Sequence, residues 1–260
     1  MVRSLIAASV GLAPVDVQDD LSQRGVVGDR DVGGAVPTDL LAEVTGVNEG
    51  VDLLLRKRVP VAGGVAGGSA DAAATLVACN QLWGTGLDTG QLHAVAARLG
   101  ADVPFLLYGG TAVGTGRGEK LRSVPVSGSF QWVLALSHHG LSTPAVFREF
   151  DRISAPQPTD IDSGLLEALA DGDARRVGAL LRNDLQRAAF NLQPELADVL
   201  AMGREAGAAG ALVSGSGPTI AFLVGTPAAA DAISDRLVLS SRVRAVRRAH
   251  GPVPGARIVN

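Results

Sequence analysis

The chain has 260 residues, 47% of them hydrophobic, and a formal net charge of −3. This length suits one large domain or two smaller ones, and the lack of a basic excess leads us to expect no nucleic-acid partner. No apolar run approaches the length of a membrane span, and acidic residues follow the short apolar start, so we expect neither a membrane partner nor export. The single cysteine, Cys79, excludes an intrachain disulfide and favours a cytoplasmic location. Its apolar surroundings in a predicted helix indicate a small core residue.

Residues 1–38 show no clear periodicity, and we interpret them as a divergent or poorly ordered N-terminal segment. Hydrophobic periodicity and Gly or Pro boundaries then predict the elements of a first domain over residues 39–127. They are the end of a helix at 40–44, a strand over 51–59, a helix up to Trp83, a helix over 89–99 closed by Gly100, and hairpin strands over 111–116 and 121–126.

The composition changes near residues 127–129, which predicts a second domain over 128–260. The predicted strands of this domain cover 132–136, 211–213, 219–224 and 243–248, and its predicted helices include 164–170, 174–181, 194–206 and 227–237. Helices segregated from antiparallel strands in this order predict an α+β architecture.

One loop carries more chemical information than the rest of the chain. Residues 60–71 contain two Gly-Gly pairs and lead into an alanine-rich helix, with Ser69 predicted as the N-cap and Asp71 in the first turn. A glycine loop that enters a helix N-terminus presents unpaired N–H groups and the positive end of a helix dipole, which suits phosphate. The alternative is a surface loop that only caps a helix. Two Gly-Gly pairs before an uninterrupted helix favour phosphate binding.

The loop lacks the Gly-Lys-Ser/Thr of a Walker A motif and the Gly-x-Gly-x-x-Gly of a dinucleotide site. Its Pro-x-x-Gly-Gly-x-x-Gly-Gly-Ser pattern resembles the GHMP family of small-molecule kinases. Three further motifs strengthen the resemblance, which covers roughly residues 40–256: Gly100-Ala101-Asp102-Val103-Pro104-Phe105, Asn183-Asp184-Leu185 and Gly215-Ser216-Gly217-Pro218-Thr219. The resemblance implies a two-domain GHMP kinase fold, with an N-terminal domain like ribosomal protein S5 domain 2 and a ferredoxin-like C-terminal domain.

The resemblance also implies roles for individual residues. ATP phosphates would be held by the backbone of Pro60, Val61, Ala62, Gly63, Gly64, Val65, Ala66, Gly67, Gly68, Ser69 and Ala70. Mg²⁺ would bridge phosphate oxygens near Ser69 and keep several waters, and no residue is assigned as a protein ligand of the metal. Asp102 matches the catalytic aspartate of the family, which accepts the proton of the substrate hydroxyl or aligns that hydroxyl with the γ-phosphate. The structural alternative for Asp102 is an N-cap or turn residue before Pro104.

The remaining candidate positions are less specific. By resemblance, residues 214–218 lie beside the first loop and close the active site with backbone amides, but a tight turn between two strands is about equally plausible. Residues 140–144 match the place where the family contacts its substrate. Adjacent His138 and His139 make a poor metal site, and we interpret His93 and His250 as surface residues. For Asp184 a structural hydrogen bond is favoured.

The chain departs from the family at its start. The family begins with a strand that carries Lys-x-Asn-Leu-x-Leu, followed by Gly-Tyr-His, and neither motif occurs in the 260 residues. Only two lysines are present, Lys57 and Lys120. We expect that an altered start or reading frame explains the difference, in which case neighbouring DNA encodes both motifs. Finding no such coding stretch would rule this explanation out.

The resemblance implies an ATP-dependent kinase of the GHMP family whose acceptor carries a cytidine diphosphate group. Two alternatives stay open. One is another GHMP kinase, such as a mevalonate or homoserine kinase, against which the Gly-Ala-Asp-Val-Pro motif argues. The other is a catalytically impaired protein that still binds nucleotide. We expect a monomer or weak homodimer.

Overall fold

The computed structural model describes residues 37–53, 55, 63–154 and 161–259, together with the backbone of residues 5–8. The chain divides into two compact units. Of the described residues, the first unit contains 5–8, 37–53, 55, 68–123 and 253–259, and the second contains 63–67, 124–154 and 161–252. Predicted elements that fall on residues 9–36, 54, 56–62 and 155–160 lie outside the described part of the chain.

The first unit combines helices with a small antiparallel sheet. Its strands pair in the order β1-β2-β3, with Val113 of the central strand opposite Ile6 on one side and Arg122 on the other. The helices are α1 (Pro37–Thr45), α2 (Gly67–Leu82), α3 (Thr89–Leu99) and α4 (Val103–Tyr108), and the strands are β1 (Leu5–Ala8), β2 (Thr111–Thr115) and β3 (Lys120–Ser123).

Local sequence explains the sharp limits of α3. The side chain of Asp88 accepts a 2.8 Å hydrogen bond from the backbone N–H of Gln91, and the side chain of Gln91 accepts a 2.9 Å bond from the N–H of Asp88. This capping box satisfies two amides that a helix start leaves unpaired. The helix ends at Leu99, as predicted. Gly100 has an extended backbone (φ 174°) and makes no left-handed cap.

One apolar cluster forms the core of this unit. Leu41, Leu76 and Ala96 are fully buried in one apolar cluster that α1, α2 and α3 share. Cys79 belongs to the same cluster with 1% of its surface exposed, so its prediction as a core residue is confirmed. Burial raises the pKa of its thiol to about 11.

The second unit is built on a four-stranded antiparallel sheet in the order β5-β6-β4-β7. Its strands are β4 (Phe130–Leu136), β5 (Gly210–Val213), β6 (Ile220–Val224) and β7 (Ala245–Gly251). Its helices are α5 (Thr143–Ile153), α6 (Ser163–Asp171), α7 (Ala174–Leu180), α8 (Gln186–Leu192), α9 (Glu195–Glu205) and α10 (Pro227–Val238).

The central strand β6 is buried along its whole length. Phe222 and Ile233 lie in the large core of this unit with no exposed surface. Close packing of α9 on β6 depends on Gly203, because a Cβ atom there would lie 2.1 Å from the ring of Phe222. The second unit thus forms a sheet with helices packed on its apolar residues.

The predicted α+β class is confirmed, and so are the hairpin that became β2 and β3 and most helices of the second unit. Three short elements were not predicted: β1, α4 and α8. The predicted strand over 51–59 is wrong in its described part, since residues 51–53 form no strand. Val51 and Leu53 instead pack as partly buried side chains against the helical core. In the described part of the chain, we find no helix with the length and apolar character needed to cross a membrane.

Candidate active site

The glycine loop enters α2 through a left-handed turn. Gly64 has φ 70°, and Ala66, the last residue before the helix, has φ 53°, a conformation that is uncommon for a residue with a Cβ atom. Helix α2 begins at Gly67, so Ser69 is the third helical residue and its prediction as the N-cap is wrong. The methyl group of Ala66 accepts no hydrogen bond, which distinguishes this helix start from one capped by Ser, Thr, Asp or Asn. The first amides of α2 therefore suit an anionic ligand.

A second glycine loop, residues 214–218, lies against the first. The hydroxyl of Ser214 donates a 2.9 Å hydrogen bond to the backbone carbonyl of Gly64. A Cβ atom on Gly64 would lie 2.5 Å from the carbonyl oxygen of Gly217, so the two backbones approach at a distance that only glycine permits. The prediction that this second loop lies beside the first is confirmed.

The second loop is also the turn between β5 and β6. Ser214 N–H donates to the carbonyl of Thr219 at 2.8 Å, and Gly217 N–H donates to the carbonyl of Ser214 at 2.8 Å. The two interpretations of this segment, a tight turn and a partner of the first loop, are therefore compatible. Its role in closing an active site stays a prediction.

A pair of hydroxyl groups connects the second loop to the start of α5. The side-chain oxygens of Ser216 and Thr143 are 2.8 Å apart in a hydrogen bond. Ser216 is buried, while Thr143 is exposed in the segment 140–144 that resembles the substrate loop of the family. The structure thus brings the segment 140–144 to the second loop, although the substrate contact itself stays a prediction.

Asp102 occupies the N-cap position of α4, yet its side chain makes no capping hydrogen bond. The backbone carbonyl of Asp102 accepts a 3.3 Å bond from Leu106 N–H, so the main chain alone begins the helix. Among the described residues, none makes a hydrogen bond or ion pair with the Asp102 carboxyl group. The residue has exposed surface, but neighbouring protein atoms displace part of its water, and this desolvation raises the pKa of the carboxyl. A carboxyl that has no partner among the described residues and a raised pKa suits proton transfer better than structural capping.

Other sequence candidates fall in different places. Pro60, Val61, Ala62 and Lys57 lie outside the described residues. The described remainder of the predicted phosphate site consists of Gly63, Gly64, Val65 and Ala66 in the loop and Gly67, Gly68, Ser69 and Ala70 in the first turn of α2. Among the described residues, no group of three His, Cys, Asp or Glu side chains could hold a metal ion.

His93 is not the simple surface residue that we predicted. Its Nε2 is buried without a hydrogen-bond partner among the described residues, and its ring meets Tyr108 edge-on with 6.0 Å between centroids. Burial lowers the pKa of His93, so the neutral ring is favoured. The prediction for His250 is confirmed, because it is exposed on β7.

In the motif Asn183-Asp184-Leu185, sequence reasoning considered the wrong residue. Asp184 is exposed, and among the described residues no hydrogen bond of its side chain is seen. Asn183 instead donates to two backbone carbonyls at the second loop. The partners of Asn183 lie about thirty residues later in the chain, so no local pattern in the sequence indicated its role.

Comparison with known proteins agrees with this geometry. The family model "GHMP kinases N terminal domain" matches residues 35–110, and "GHMP kinases C terminal" matches residues 165–240. Together with two α+β units and paired glycine loops, these matches define the class: a GHMP kinase.

Curated relatives narrow the class. The 4-diphosphocytidyl-2-C-methyl-D-erythritol kinase of Thermobifida fusca (strain YX) is 57% identical over 212 residues, which cover 81% of this chain and 69% of that protein. The protein of the same name from Leifsonia xyli subsp. xyli is 49% identical over 265 residues, with 93% and 84% covered. The chain therefore belongs to the 4-diphosphocytidyl-2-C-methyl-D-erythritol kinase branch of the GHMP kinase family.

Solved structures give the same result at the level of the fold. A crystal structure of 4-(cytidine 5'-diphospho)-2C-methyl-D-erythritol kinase is 31% identical, has a TM-score of 0.69, and covers 95% of this chain, which spans 84% of that one. A homoserine kinase from Cytophaga hutchinsonii has the same TM-score of 0.69 at 20% identity, covering 98% of this chain and 85% of that one, and so shows the fold alone.

Proposed function

We propose that this chain transfers the γ-phosphate of ATP to the 2-hydroxyl of 4-diphosphocytidyl-2-C-methyl-D-erythritol (CDP-methylerythritol), a step of the non-mevalonate route to isoprenoids. One observation carries the proposal: relatives that bear this enzyme name are 49% to 57% identical to the chain over most of their length. Solved structures of mevalonate and homoserine kinases share the fold at only 13% to 20% identity, which makes them weaker guides to the acceptor.

The glycine loop and the first turn of α2 supply the nucleotide half of the reaction. Backbone N–H groups are fixed dipoles, so they stabilise phosphate oxygens with little reorganisation during phosphoryl transfer. The hydrogen bond from Ser214 occupies the Gly64 carbonyl and thereby fixes the orientation of this peptide group in the loop. Mg²⁺, when bound with ATP, would neutralise phosphate charge and keep several of its waters.

Asp102 is the proposed catalytic residue. Its carboxylate accepts the proton of the 2-hydroxyl while the hydroxyl oxygen bonds to the γ-phosphorus and the bond from that phosphorus to the β-phosphate oxygen breaks, which releases ADP. The absence of a capping bond leaves the carboxylate oxygens available for this hydroxyl. The raised pKa makes the carboxylate a stronger base than an ordinary aspartate.

One observation supports a second candidate function, a nucleotide-binding protein with impaired turnover. The Lys-x-Asn-Leu-x-Leu and Gly-Tyr-His motifs of the family do not occur in these 260 residues. Lys120, one of the two lysines, is exposed at the start of β3. A missing cationic partner in a phosphoryl-transfer site reduces transition-state stabilisation, commonly by about 3 kcal/mol for a single interaction.

A paired measurement separates the two functions. The purified chain is assayed for Mg-ATP-dependent phosphorylation of CDP-methylerythritol, and nucleotide binding is measured directly on the same sample by calorimetry. Phosphorylation confirms the kinase, whereas binding without turnover supports the second candidate. If the folded chain shows neither, both proposals fail. Phosphorylation of mevalonate or homoserine in place of CDP-methylerythritol would overturn the substrate assignment alone.

We also propose three further properties of this protein. They are the use of Mg²⁺, a cytoplasmic location, and a monomeric or weakly dimeric state without a nucleic-acid partner. The first is supported by the phosphate chemistry of ATP, and the second by the single cysteine.

A further inference from the structure

We propose that Asn183 is a positioning residue for nucleotide binding, which acts by fixing Ser214 in the orientation that holds the first glycine loop. The side-chain Nδ2 of Asn183 donates to the backbone carbonyls of Val213 and Gly215, both at 2.7 Å. These two carbonyls flank Ser214 on either side. One side chain therefore holds the 213–214 and 215–216 peptide groups, on either side of the 214–215 peptide.

The chemistry of the amide group fits only one orientation. The Oδ1 atom of Asn183 accepts a 2.9 Å bond from Leu185 N–H, while both hydrogens of Nδ2 point to carbonyl oxygens. A flipped amide would face two carbonyl oxygens with a third oxygen and would leave Leu185 N–H opposite a donor. Asn183 thus satisfies three backbone hydrogen-bonding groups with a single planar side chain.

A neighbouring residue strengthens the same attachment. The side chain of Gln186, in the first turn of α8, accepts a 3.0 Å bond from Val213 N–H. Val213 is consequently held through its carbonyl by Asn183 and through its N–H by Gln186. The end of β5, directly before Ser214, is held at both of its polar backbone groups.

This attachment continues to the first glycine loop. Ser214 has a half-buried side chain that donates to the carbonyl of Gly64 at 2.9 Å. If Ser214 loses its orientation, its hydrogen bond to the Gly64 carbonyl is lost, and the first loop samples more conformations. A ligand then has to order the loop when it binds, which weakens its affinity. The inference rests on the proposed function in assigning ATP phosphates to this loop.

The test uses three variants of the full chain: Asn183→Ala, Ser214→Ala and Asn191→Ala. Asn191 is the matched control, because its amide donates to the half-buried Glu149 carboxylate on α5 at 2.7 Å and not to either glycine loop. We expect Asn183→Ala and Ser214→Ala each to weaken ADP and ATP binding about tenfold, with Asn191→Ala unchanged. The Michaelis constant for ATP should rise in the same variants, while that for the acceptor and the turnover number change less.

The double variant Asn183→Ala/Ser214→Ala separates positioning from general destabilisation. If Asn183 acts through Ser214, the two losses of affinity overlap, and the double variant binds nucleotide about as weakly as the worse single variant. Independent effects would instead multiply, and multiplication of the two losses would overturn the proposal.

An Asn183→Asp variant adds a pH profile that a purely structural role would not produce. Its carboxylate keeps the acceptor for Leu185 N–H but faces two carbonyl oxygens without a proton. We expect it to bind nucleotide more weakly than Asn183→Ala at neutral pH and to improve, relative to Asn183→Ala, as the pH falls and the carboxyl gains a proton to donate.

Amide hydrogen exchange gives a readout that does not require bound ATP. Peptides covering residues 63–66 should exchange faster in Asn183→Ala than in Asn191→Ala. If the unmodified chain binds no nucleotide, the proposed function fails, and exchange still tests the positioning role. If the unmodified chain binds nucleotide and Asn183→Ala matches it in both affinity and exchange, the inference fails alone. Should Asn183→Ala not fold, Ser214→Ala and Asn183→Asp are judged by the same criteria.

Discussion

The hydroxyl of Ser214 donates to the backbone carbonyl of Gly64, a residue 150 positions earlier in the chain. The contact joins the turn between β5 and β6 to the loop that leads into α2. Because both partners sit on glycine-containing segments that pack backbone to backbone, the geometry of one segment depends on the other. Substitutions at this contact are therefore sensitive tests of the proposed nucleotide-binding loop.

The Gly64→Ala variant should lose both stability and nucleotide affinity. The alanine would have to keep a backbone φ of 70°, and its Cβ atom would lie 2.5 Å from the carbonyl oxygen of Gly217. Gly46→Ala is the control, because Gly46 has φ 74° with no atom within 4 Å of the added Cβ. We expect about 1–2 kcal/mol of destabilisation from the left-handed backbone alone in Gly46→Ala. Gly64→Ala should lose a further ~1–3 kcal/mol from the clash.

Urea unfolding and calorimetric titration with ADP measure these two effects. Gly46→Ala should bind ADP as the unmodified chain does, whereas Gly64→Ala should bind it more weakly. Equal stability and equal affinity in the two variants would mean that the close approach of residues 64 and 217 does not exist in solution.

Asp102→Asn should abolish turnover and leave nucleotide binding intact. The amide keeps the shape of the side chain but accepts no proton, so we expect the turnover number to fall by about 10² to 10⁴. The side chain makes no capping bond, so α4 should form as before. Steady-state kinetics and ADP titration of the same preparation check this, and a turnover number within a few-fold of the unmodified enzyme would remove Asp102 from the catalytic role.

The raised pKa of Asp102 predicts opposite pH dependences for two quantities, the activity and the contribution of Asp102 to the stability of the fold. Desolvation raises the pKa of its carboxyl above that of an ordinary aspartate. As the pH falls through this raised pKa, the carboxylate gains a proton and can no longer act as a base, so kcat/KM decreases. The folded state holds this proton more tightly than the unfolded state. The contribution of Asp102 to stability is therefore greatest at low pH and decreases as the pH rises from the unfolded pKa through the folded pKa.

At neutral pH, Asp102→Asn should consequently melt no lower than the unmodified chain. Thermal melts of both proteins at pH 5 and pH 8, followed by circular dichroism, compare the contribution of Asp102 to stability at the lower and the higher pH. A large drop in melting temperature for Asp102→Asn at pH 8 would indicate that the carboxylate stabilises the fold, contrary to its unpaired environment.

Cys79 should resist thiol reagents until the first unit unfolds. It lies in the core of α1, α2 and α3, and burial raises the pKa of its thiol to about 11, so little thiolate exists at neutral pH. Labelling with a chromogenic disulfide should be negligible in buffer and reach one equivalent in denaturant. Rapid stoichiometric labelling of the native chain would contradict the core position.

The same thiol contributes to stability in a defined pH range. Because its pKa is raised from 9.0 to about 11 on folding, its contribution is constant below pH 9 and is lost as the pH rises toward 11. A Cys79→Ala variant, which cannot ionise, should show a shallower loss of stability over that range.

Local signals in the sequence predicted some elements to within a residue. The bounds of α3 were predicted from its amphipathic period and from Gly100 at its end, all within a few positions. Helix α8, with seven residues, and β1, with four, carry too few positions for a periodic signal. Such short elements depend on the partners that they contact.

In the candidate site, too, features with a local sequence signal were predicted, and features that depend on distant contacts were not. The glycine loop was predicted because glycine content and a following helix are local properties. Ser69 was wrongly predicted as the N-cap because capping preferences favour Ser, Thr, Asp or Asn at that position. The residue directly before α2 is instead Ala66, which has a left-handed backbone and no capping side chain. The contacts of Asn183 depend on a turn about thirty residues later, so no local pattern could reveal them.

The contact between Gly64 and Ser214 also bears on how this chain can be divided. The family model for the N-terminal domain includes the glycine loop within residues 35–110, yet residues 63–67 group with the second unit. A fragment that stops at Ser123 would retain every glycine of the loop and lose the residue that anchors it. Nucleotide affinity measured on such an isolated fragment would therefore understate the affinity of the whole chain, and mixing in the complementary C-terminal fragment should restore part of the difference.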